Sequence, residues 1–307
     1  MIEVDNLTKQ YGAFTAVDHI SFEAKQGEIL GILGPNGAGK TTTMRILTGY
    51  MPPSSGKATL AGYDVVQDSF KARQNVGYMP ERVPLYPDMT VQEYVAFWAR
   101  LRGVSSVNKQ VQIALERVQL LDRRRSLVRN LSKGLKQRLG LAQALVHNPP
   151  VIILDEPTIG IDPKQVIEVR ESVRSLAHDH TVLFSTHILS EAEQVCDRVI
   201  IINNGRIVAE GKPQDLRERL HPMRDIYVQI GGAGKEKSEK LLSNITGVAR
   251  IEPLGAGYTL YAKEGVDLRP YIMKAITSEN LSLLEMRPVA VTLEDIFLEI
   301  VEKEGTV

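Results

Sequence analysis

Over the first two-thirds of the chain, short apolar runs bounded by glycine and polar turns alternate with stretches of helical periodicity. That is the pattern of an α/β domain on a largely parallel sheet. Glu28–Leu33 (EILGIL) reads as a buried strand that breaks at Gly34 into a glycine-rich loop, with a helix following over Thr42–Gly49. Thr90–Arg102 reads as a helix, because Thr90 and Glu93 have capping-box spacing and Val91, Tyr94, Val95 and Trp98 share a face. A second helix spans roughly Asn108–Leu121, striped by Val111, Leu115 and Val118, and a third starts at Ser132 ahead of Leu135, Leu139 and Ala142. Val151–Leu154 and Thr181–Ser185 read as core strands, and Asp162-Pro163 as a helix start. Arg198–Glu210 reads as an antiparallel edge hairpin turning at Asn204-Gly205.

Past Leu220 the pattern changes. Ile226–Ile230 alternates as a strand, Gly231–Lys237 is rich in glycine and lysine, and a helix–strand–strand–helix–strand series follows. Gly255-Ala256-Gly257 marks its hairpin turn, and an amphipathic helix is expected near Thr292–Val301. A chain of 307 residues exceeds what one core usually serves. The expected division is therefore 1–220, with a helical subdomain at about 86–148, and 221–307 as a small C-terminal α+β domain.

Composition narrows the function classes. Lysine plus arginine and aspartate plus glutamate both number 37, so there is no global charge to favour nucleic acid, and no nucleic-acid partner is expected. The run Arg123-Arg124-Arg125 reads as a solvated helix end. The one cysteine, Cys196, has no internal partner for a disulfide, which fits a reducing compartment. The first residues carry no apolar core of a signal peptide, and no run of roughly 18 apolar residues occurs, so a membrane role is expected only through a partner.

Gly34-Pro35-Asn36-Gly37-Ala38-Gly39-Lys40-Thr41 fits G-x-x-x-x-G-K-[ST] at every position, between an apolar strand and a helix that takes in Thr42. Glycines let the backbone curl so that successive amides face phosphate oxygens, and the helix adds its positive dipole end. Lys40 can reach the outer phosphates and Thr41 can offer its hydroxyl to Mg²⁺. The bland alternative is a glycine-rich turn that merely ends a strand. Val151–Glu156 (VIILDE) places two acids at a buried strand end, where α/β sheets put their sites. Asp155 suits a contact to Mg²⁺ through water, and Glu156 suits the base that polarises attacking water. Such a pair is weak evidence alone and gains weight from the phosphate loop upstream.

Leu131-Ser132-Lys133-Gly134-Leu135-Lys136-Gln137-Arg138 resembles the signature segment of ABC transporter ATPases. In the same family order, Tyr11 resembles the aromatic residue that stacks on adenine, Ile159-Gly160-Ile161-Asp162 the D-loop, and His187 the switch histidine. The resemblance covers about residues 1–215 and implies a P-loop NTPase fold that takes ATP and Mg²⁺. It also implies a head-to-tail dimer, here with a second copy of the chain, that sandwiches two ATP molecules. The phosphate loop of one copy would face Ser132 and Gly134 of the other, His187 would hold the γ-phosphate beside the base Glu156, and Asp162 would couple the two sites.

Two features depart from the family pattern. Lys133 stands in place of the first glycine of the signature and Leu135 in place of its glutamine. Val76-Gly77-Tyr78-Met79-Pro80-Glu81 resembles the Q-loop, with Glu81 where a glutamine is usual. Both resemble a subgroup serving exporters whose membrane subunits are encoded separately. The C-terminal extension of that subgroup ends in a segment similar to Val291–Phe297. The expected function is thus the ATP-hydrolysing subunit of an export complex, held at the cytoplasmic face of the membrane by its permease. A soluble ABC ATPase acting on ribosomes or DNA usually has two cassettes or a long coiled-coil or basic insertion, and this chain has neither. A regulatory module without turnover is disfavoured by the intact Lys40, Glu156 and His187.

Overall fold

The computed structural model describes residues 1–220, 225–263 and 266–289. The helix expected near Thr292–Val301 and the segment Val291–Phe297 lie outside the described residues. The chain divides into two compact units, the first taking in Met1–Gln214 and the second beginning at Asp215.

The first unit opens with β1 (Ile2–Tyr11), β2 (Phe14–Ala24), β3 (Ile29–Leu33), α1 (Lys40–Leu47), β4 (Ser55–Leu60) and β5 (Tyr63–Asp64). It continues with α2 (Ser69–Gln74), β6 (Val76–Met79), α3 (Val91–Leu101), α4 (Val107–Arg117) and α5 (Lys133–Leu145). It closes with β7 (Val151–Asp155), α6 (Pro163–Leu176), β8 (Thr181–Thr186), α7 (Leu189–Val195), β9 (Arg198–Asn203) and β10 (Arg206–Gly211). Next, α8 (Pro213–Leu220) crosses the division between the units.

Six strands form the central sheet in the order β10-β9-β3-β8-β7-β6, parallel throughout except for the antiparallel edge strand β10. Every residue of β3, β7 and β8 is buried, which is why they read as continuous apolar runs rather than alternating ones. A second, antiparallel sheet in the order β2-β1-β4-β5 packs its inner residues, such as Ile2, Leu7 and Ile20, into one core with Leu30, Ile32, Ile153 and α1 residues Met44 and Ile46. The β9–β10 hairpin turns at Asn204 and Gly205, with φ of 46° and 80°, the paired left-handed conformation of the tightest hairpin turn.

Between β6 and β7, α3, α4 and α5 pack on one another. The Thr90–Glu93 capping box forms as its spacing predicts, with both reciprocal bonds made. α4 stops at Arg117, short of the expected Leu121, because Gln119 turns left-handed (φ 53°) and the Leu120 N–H folds back to the Leu115 carbonyl. Arg123, Arg124 and Arg125 are exposed, at and just beyond a short 3-10 turn.

The second unit runs β11 (Ile226–Gly231), α9 (Lys235–Ser243), β12 (Val248–Leu254), β13 (Gly257–Ala262), α10 (Arg269–Ser278) and β14 (Ser282–Pro288). Its antiparallel sheet has the order β12-β13-β11-β14, a split βαβ arrangement. Its own core joins Ile226, Val228 and Leu260 to helix residues Leu242, Ile272 and Ile276.

Candidate functional site

Strand order gathers the site. β3, β8, β7 and β6 are neighbours with the same direction, so the segments leaving their carboxyl ends lie side by side. β3 leads into the glycine-rich loop, β8 into His187, β7 ends at Asp155 before Glu156, and β6 leads to Glu81. A cleft of about 490 Å³ opens there, lined by Tyr11, Asn36, Gly37, Ala38, Gly39, Lys40, Thr41, Thr42, Glu81 and Glu156, with Phe14, Ala16 and Ile159.

The loop conformation demands its glycines. Gly39 takes φ 106°, and a Cβ there would come within 2.5 Å of the Ala16 carbonyl oxygen. A Cβ on Gly34 would likewise strike the Ile202 carbonyl oxygen. The first amides of α1 have no intrahelical partner and no side chain caps them, which leaves an anion-binding helix end facing the cleft. The Lys40 ammonium is buried, donates to the carbonyls of Gly34 (2.7 Å) and Pro35 (3.1 Å), and lies 3.4 Å from Glu156 Oε1.

Asp155 is 1% exposed. Its Oδ1 accepts from Ser185 Oγ at 2.8 Å and Thr41 Oγ1 at 3.3 Å, while the buried Oδ2 has no partner. Burial pushes this carboxyl above the usual range against the lowering effect of those two bonds, and the charges of Glu156 and Glu81 push the same way. An acid of this kind suits a bound cation, and the unpartnered Oδ2 beside the Thr41 hydroxyl fits the donor set of a magnesium ion that keeps its waters and takes its other oxygens from phosphates. No group of three or more acidic, histidine or cysteine side chains that could hold a metal by itself occurs among the described residues.

Glu156 has φ 49°, a left-handed conformation that costs a non-glycine residue about 1–3 kcal/mol and persists only where the surroundings over-determine it. They do so here. Its N–H donates to Ser185 Oγ (2.9 Å), Oε1 faces Lys40, and Oε2 lies 2.8 Å from His187 Nδ1. The result is a buried carboxylate beside a half-exposed histidine.

Tyr11 sits at the mouth of the cleft, 47% exposed, its hydroxyl donating to Met51 Sδ (3.0 Å) and its ring 5.6 Å from the Lys9 ammonium. Phe14, across the β1–β2 turn, adds a second exposed ring. Ser132, Gly134 and Asp162 do not line the cleft and gather apart from it. Ser132 caps α5 through the Leu135 N–H (3.3 Å), and Asp162 caps α6 through the Gln165 N–H (3.1 Å). Gln165 Nε2 donates to Ser132 Oγ at 3.2 Å, and this same side chain occupies the space a Cβ on Gly134 would need. Lys133 packs its ammonium over Gly160 in the same way.

Sequence reasoning missed Ser185, Gln165, Phe14 and Ala16. The sequence shows that Ser185 ends the apolar run of β8 with a hydroxyl and that Gln165 stands three residues after the cap Asp162, but that Ser185 lies opposite Asp155 follows only from the sheet register.

Comparison with known proteins decides the family. The family profile described as ABC transporter matches residues 17–159. The linearmycin resistance ATP-binding protein LnrL of Bacillus subtilis (strain 168) is 33% identical over 98% of this chain and 98% of its own length. The Nod factor export ATP-binding protein I of Burkholderia orbicola (strain AU 1054) is 38% identical over 99% of this chain and 97% of its own. The chain belongs to the ABC transporter ATPases. A solved ATP-binding subunit of an ABC transporter superposes with a TM-score of 0.65 and 32% identity, covering 71% of this chain and 92% of that one. A dimeric ATP-binding cassette in a post-hydrolysis state with ADP and Pi superposes with a TM-score of 0.63 at 25% identity, covering 69% and 98%. The α/β fold is that of these ABC ATPase subunits, and the chain is an ATPase subunit of a transporter. Among the described residues no helix is long and apolar enough to cross a membrane.

Proposed function

We propose that this ABC ATPase binds Mg·ATP in the cleft and hydrolyses it in a head-to-tail homodimer that drives export through a separately encoded permease at the cytoplasmic face of the membrane. The observation that carries the reading is the constellation of buried Lys40, Asp155 and Glu156 with half-exposed His187 at the ends of three adjacent strands, β3, β8 and β7. The amides of the loop and of α1 bind the phosphates, and Lys40 neutralises charge as it develops on them. Thr41 and Asp155 would hold Mg²⁺, which would supply further neutralisation of the charge that develops on the phosphates. Glu156 orients the attacking water and accepts its proton, with His187 steadying Glu156 and reaching the γ-phosphate. Tyr11 and Phe14 receive the adenine. Glu81 lies at the cleft and acts on Asp155 through its charge, which suits a residue sensitive to the metal-loaded state.

Ser132 and Asp162 are exposed at helix starts apart from this cleft, with Gly134 buried beside Gln165 in the same group, an arrangement that fits contact with the nucleotide of the second copy. A membrane partner is supported by a cleft between α2 and α3 where Phe70 and Leu101 are exposed beside Arg73 and Arg102. Export is supported by relatives named for Nod factor export that match nearly the whole chain. The small second unit is proposed as a domain separate from catalysis.

The test is Glu156→Gln, which keeps shape and Mg·ATP binding but removes the base. With ATP and magnesium it should elute from size-exclusion chromatography as a dimer. An unchanged monomer that demonstrably binds ATP would sink the sandwich.

A further inference from the structure

Glu191, on α7, is 2% exposed and does not line the cleft. Its Oε2 accepts two hydroxyl bonds, from Thr158 Oγ1 at 2.6 Å and from Thr186 Oγ1 at 3.0 Å. Its Oε1 faces Arg170 Nη2 of α6 at 3.6 Å, and Arg170 Nη1 donates to Gln194 Oε1 of α7 at 2.6 Å. So deep a carboxylate is costly unless paired and hydrogen-bonded, and here each oxygen has its partner. The two hydroxyls belong to different segments. Thr158 follows Glu156 by two residues, in the stretch that runs on to Asp162. Thr186 immediately precedes His187, and its Oγ1 also accepts the Ile188 N–H at 3.0 Å, so one hydroxyl grips the backbone on both sides of the histidine.

We propose that Glu191 is a positioning residue that ties the Glu156–Asp162 segment to the His187 segment through a single carboxylate oxygen, keeping the two aligned during turnover. This rests on Glu156 and His187 being the catalytic pair. The backbone of Glu156 is strained and anchored at its N–H by Ser185; Thr158–Glu191 is the corresponding anchor on the other side. Without it, the strained residue is free to relax and carry its carboxylate away from the productive geometry. A misplacement of about 1 Å can cost on the order of a hundredfold in rate.

The test uses the full chain with Mg·ATP. Thr158→Val and Thr186→Val each remove one hydroxyl with little change in shape and leave Glu191 beside Arg170. Glu191→Gln keeps an acceptor for both hydroxyls, and Glu191→Ala removes it. kcat should fall at least about tenfold in Glu191→Ala, recover in part in Glu191→Gln, and fall in both valine variants, while KM for ATP changes less than about threefold. Amide hydrogen exchange supplies a readout independent of catalysis. In Glu191→Ala, residues 158–162 and 186–188 should exchange faster together, with α1 unchanged. Faster exchange confined to α7, or kcat within about twofold of wild type in all four variants, overturns the proposal. Glu156→Gln run in parallel isolates the underlying reading. If that variant keeps wild-type turnover, the catalytic pair is wrong, and the exchange data alone then decide whether Glu191 joins the two segments.

Discussion

Around the phosphate cleft, charge is buried and tense. Lys40, Asp155 and Glu156 are all under 7% exposed, one carboxylate oxygen has no partner, and one backbone is left-handed. The Ser132 group is the reverse: Ser132, Lys133 and Asp162 are exposed, and each hydroxyl or carboxylate already satisfies a helix end. The difference teaches how the two groups divide labour. A buried, strained set is pre-organised for chemistry and unstable without its ligand. An exposed, self-capped set costs the fold nothing and is free to meet something outside the chain.

Asp155→Asn should break the tense half most completely. Turnover should drop at least about a hundredfold, since a metal contact and charge stabilisation at the phosphoryl group are lost. Stability should move the opposite way. Because the folded pKa of Asp155 is raised, the folded state binds a proton more readily than the unfolded one, so this group's contribution to stability falls as pH rises through the raised value. Ligand-free Asp155→Asn should therefore melt higher at pH 7, by about 2–4 °C per kcal/mol relieved, with the gain shrinking toward pH 4. Differential scanning calorimetry across that range checks it. A lower melting temperature at pH 7 would contradict the account of buried strain.

Ser132→Ala probes the relaxed half. It should lower turnover about ten- to hundredfold, the worth of one hydrogen bond to a charged group, while the affinity of the monomer for ATP stays put. Equilibrium binding and steady-state rates separate the two. Weakened ATP binding in the monomer would mean that Ser132 belongs to the cleft of its own chain.

Tyr11→Ala is a smaller perturbation at the rim. Stacking on a base is mostly uniform binding, so KM for ATP should rise about fivefold, the low end for such contacts, because the ring is half-exposed and shares its surroundings with Phe14. A fall in kcat alone would make Tyr11 structural. Smallest of all should be truncation after Leu220. The nucleotide motifs and the core of the first unit lie before that residue, so ATP affinity should stay within about twofold, measured by titration of a soluble truncation. Loss of binding by a folded truncation would redraw the boundary.

The legibility of these regions differs for a physical reason. The loop Gly34–Thr41, the strand ending at Asp155 and the caps Thr90, Ser132 and Asp162 were readable because each depends on neighbours within a few residues. The early antiparallel sheet was not, since β1 pairs with β4 across more than forty residues and its alternation is broken by bulges. Helix ends drifted as well. α1 begins at Lys40 with Gly39 as its cap, where the end of the glycine loop places it, whereas α4 ends early where Gln119 turns.

By itself, the sequence determined which residues could carry chemistry, because a glycine loop, a capped helix and an acidic strand end are local agreements between backbone preference and side chain. Tertiary structure alone decided who meets whom. The order β3-β8-β7-β6 sets His187 against Glu156 and Ser185 against Asp155, and it places Glu191 between Thr158 and Thr186. Apart from Thr186–Glu191, five positions apart, those pairings join residues thirty or more positions apart on different strands and loops. They are fixed by strand order and by the cost of leaving a buried charge unpaired, which no local pattern records.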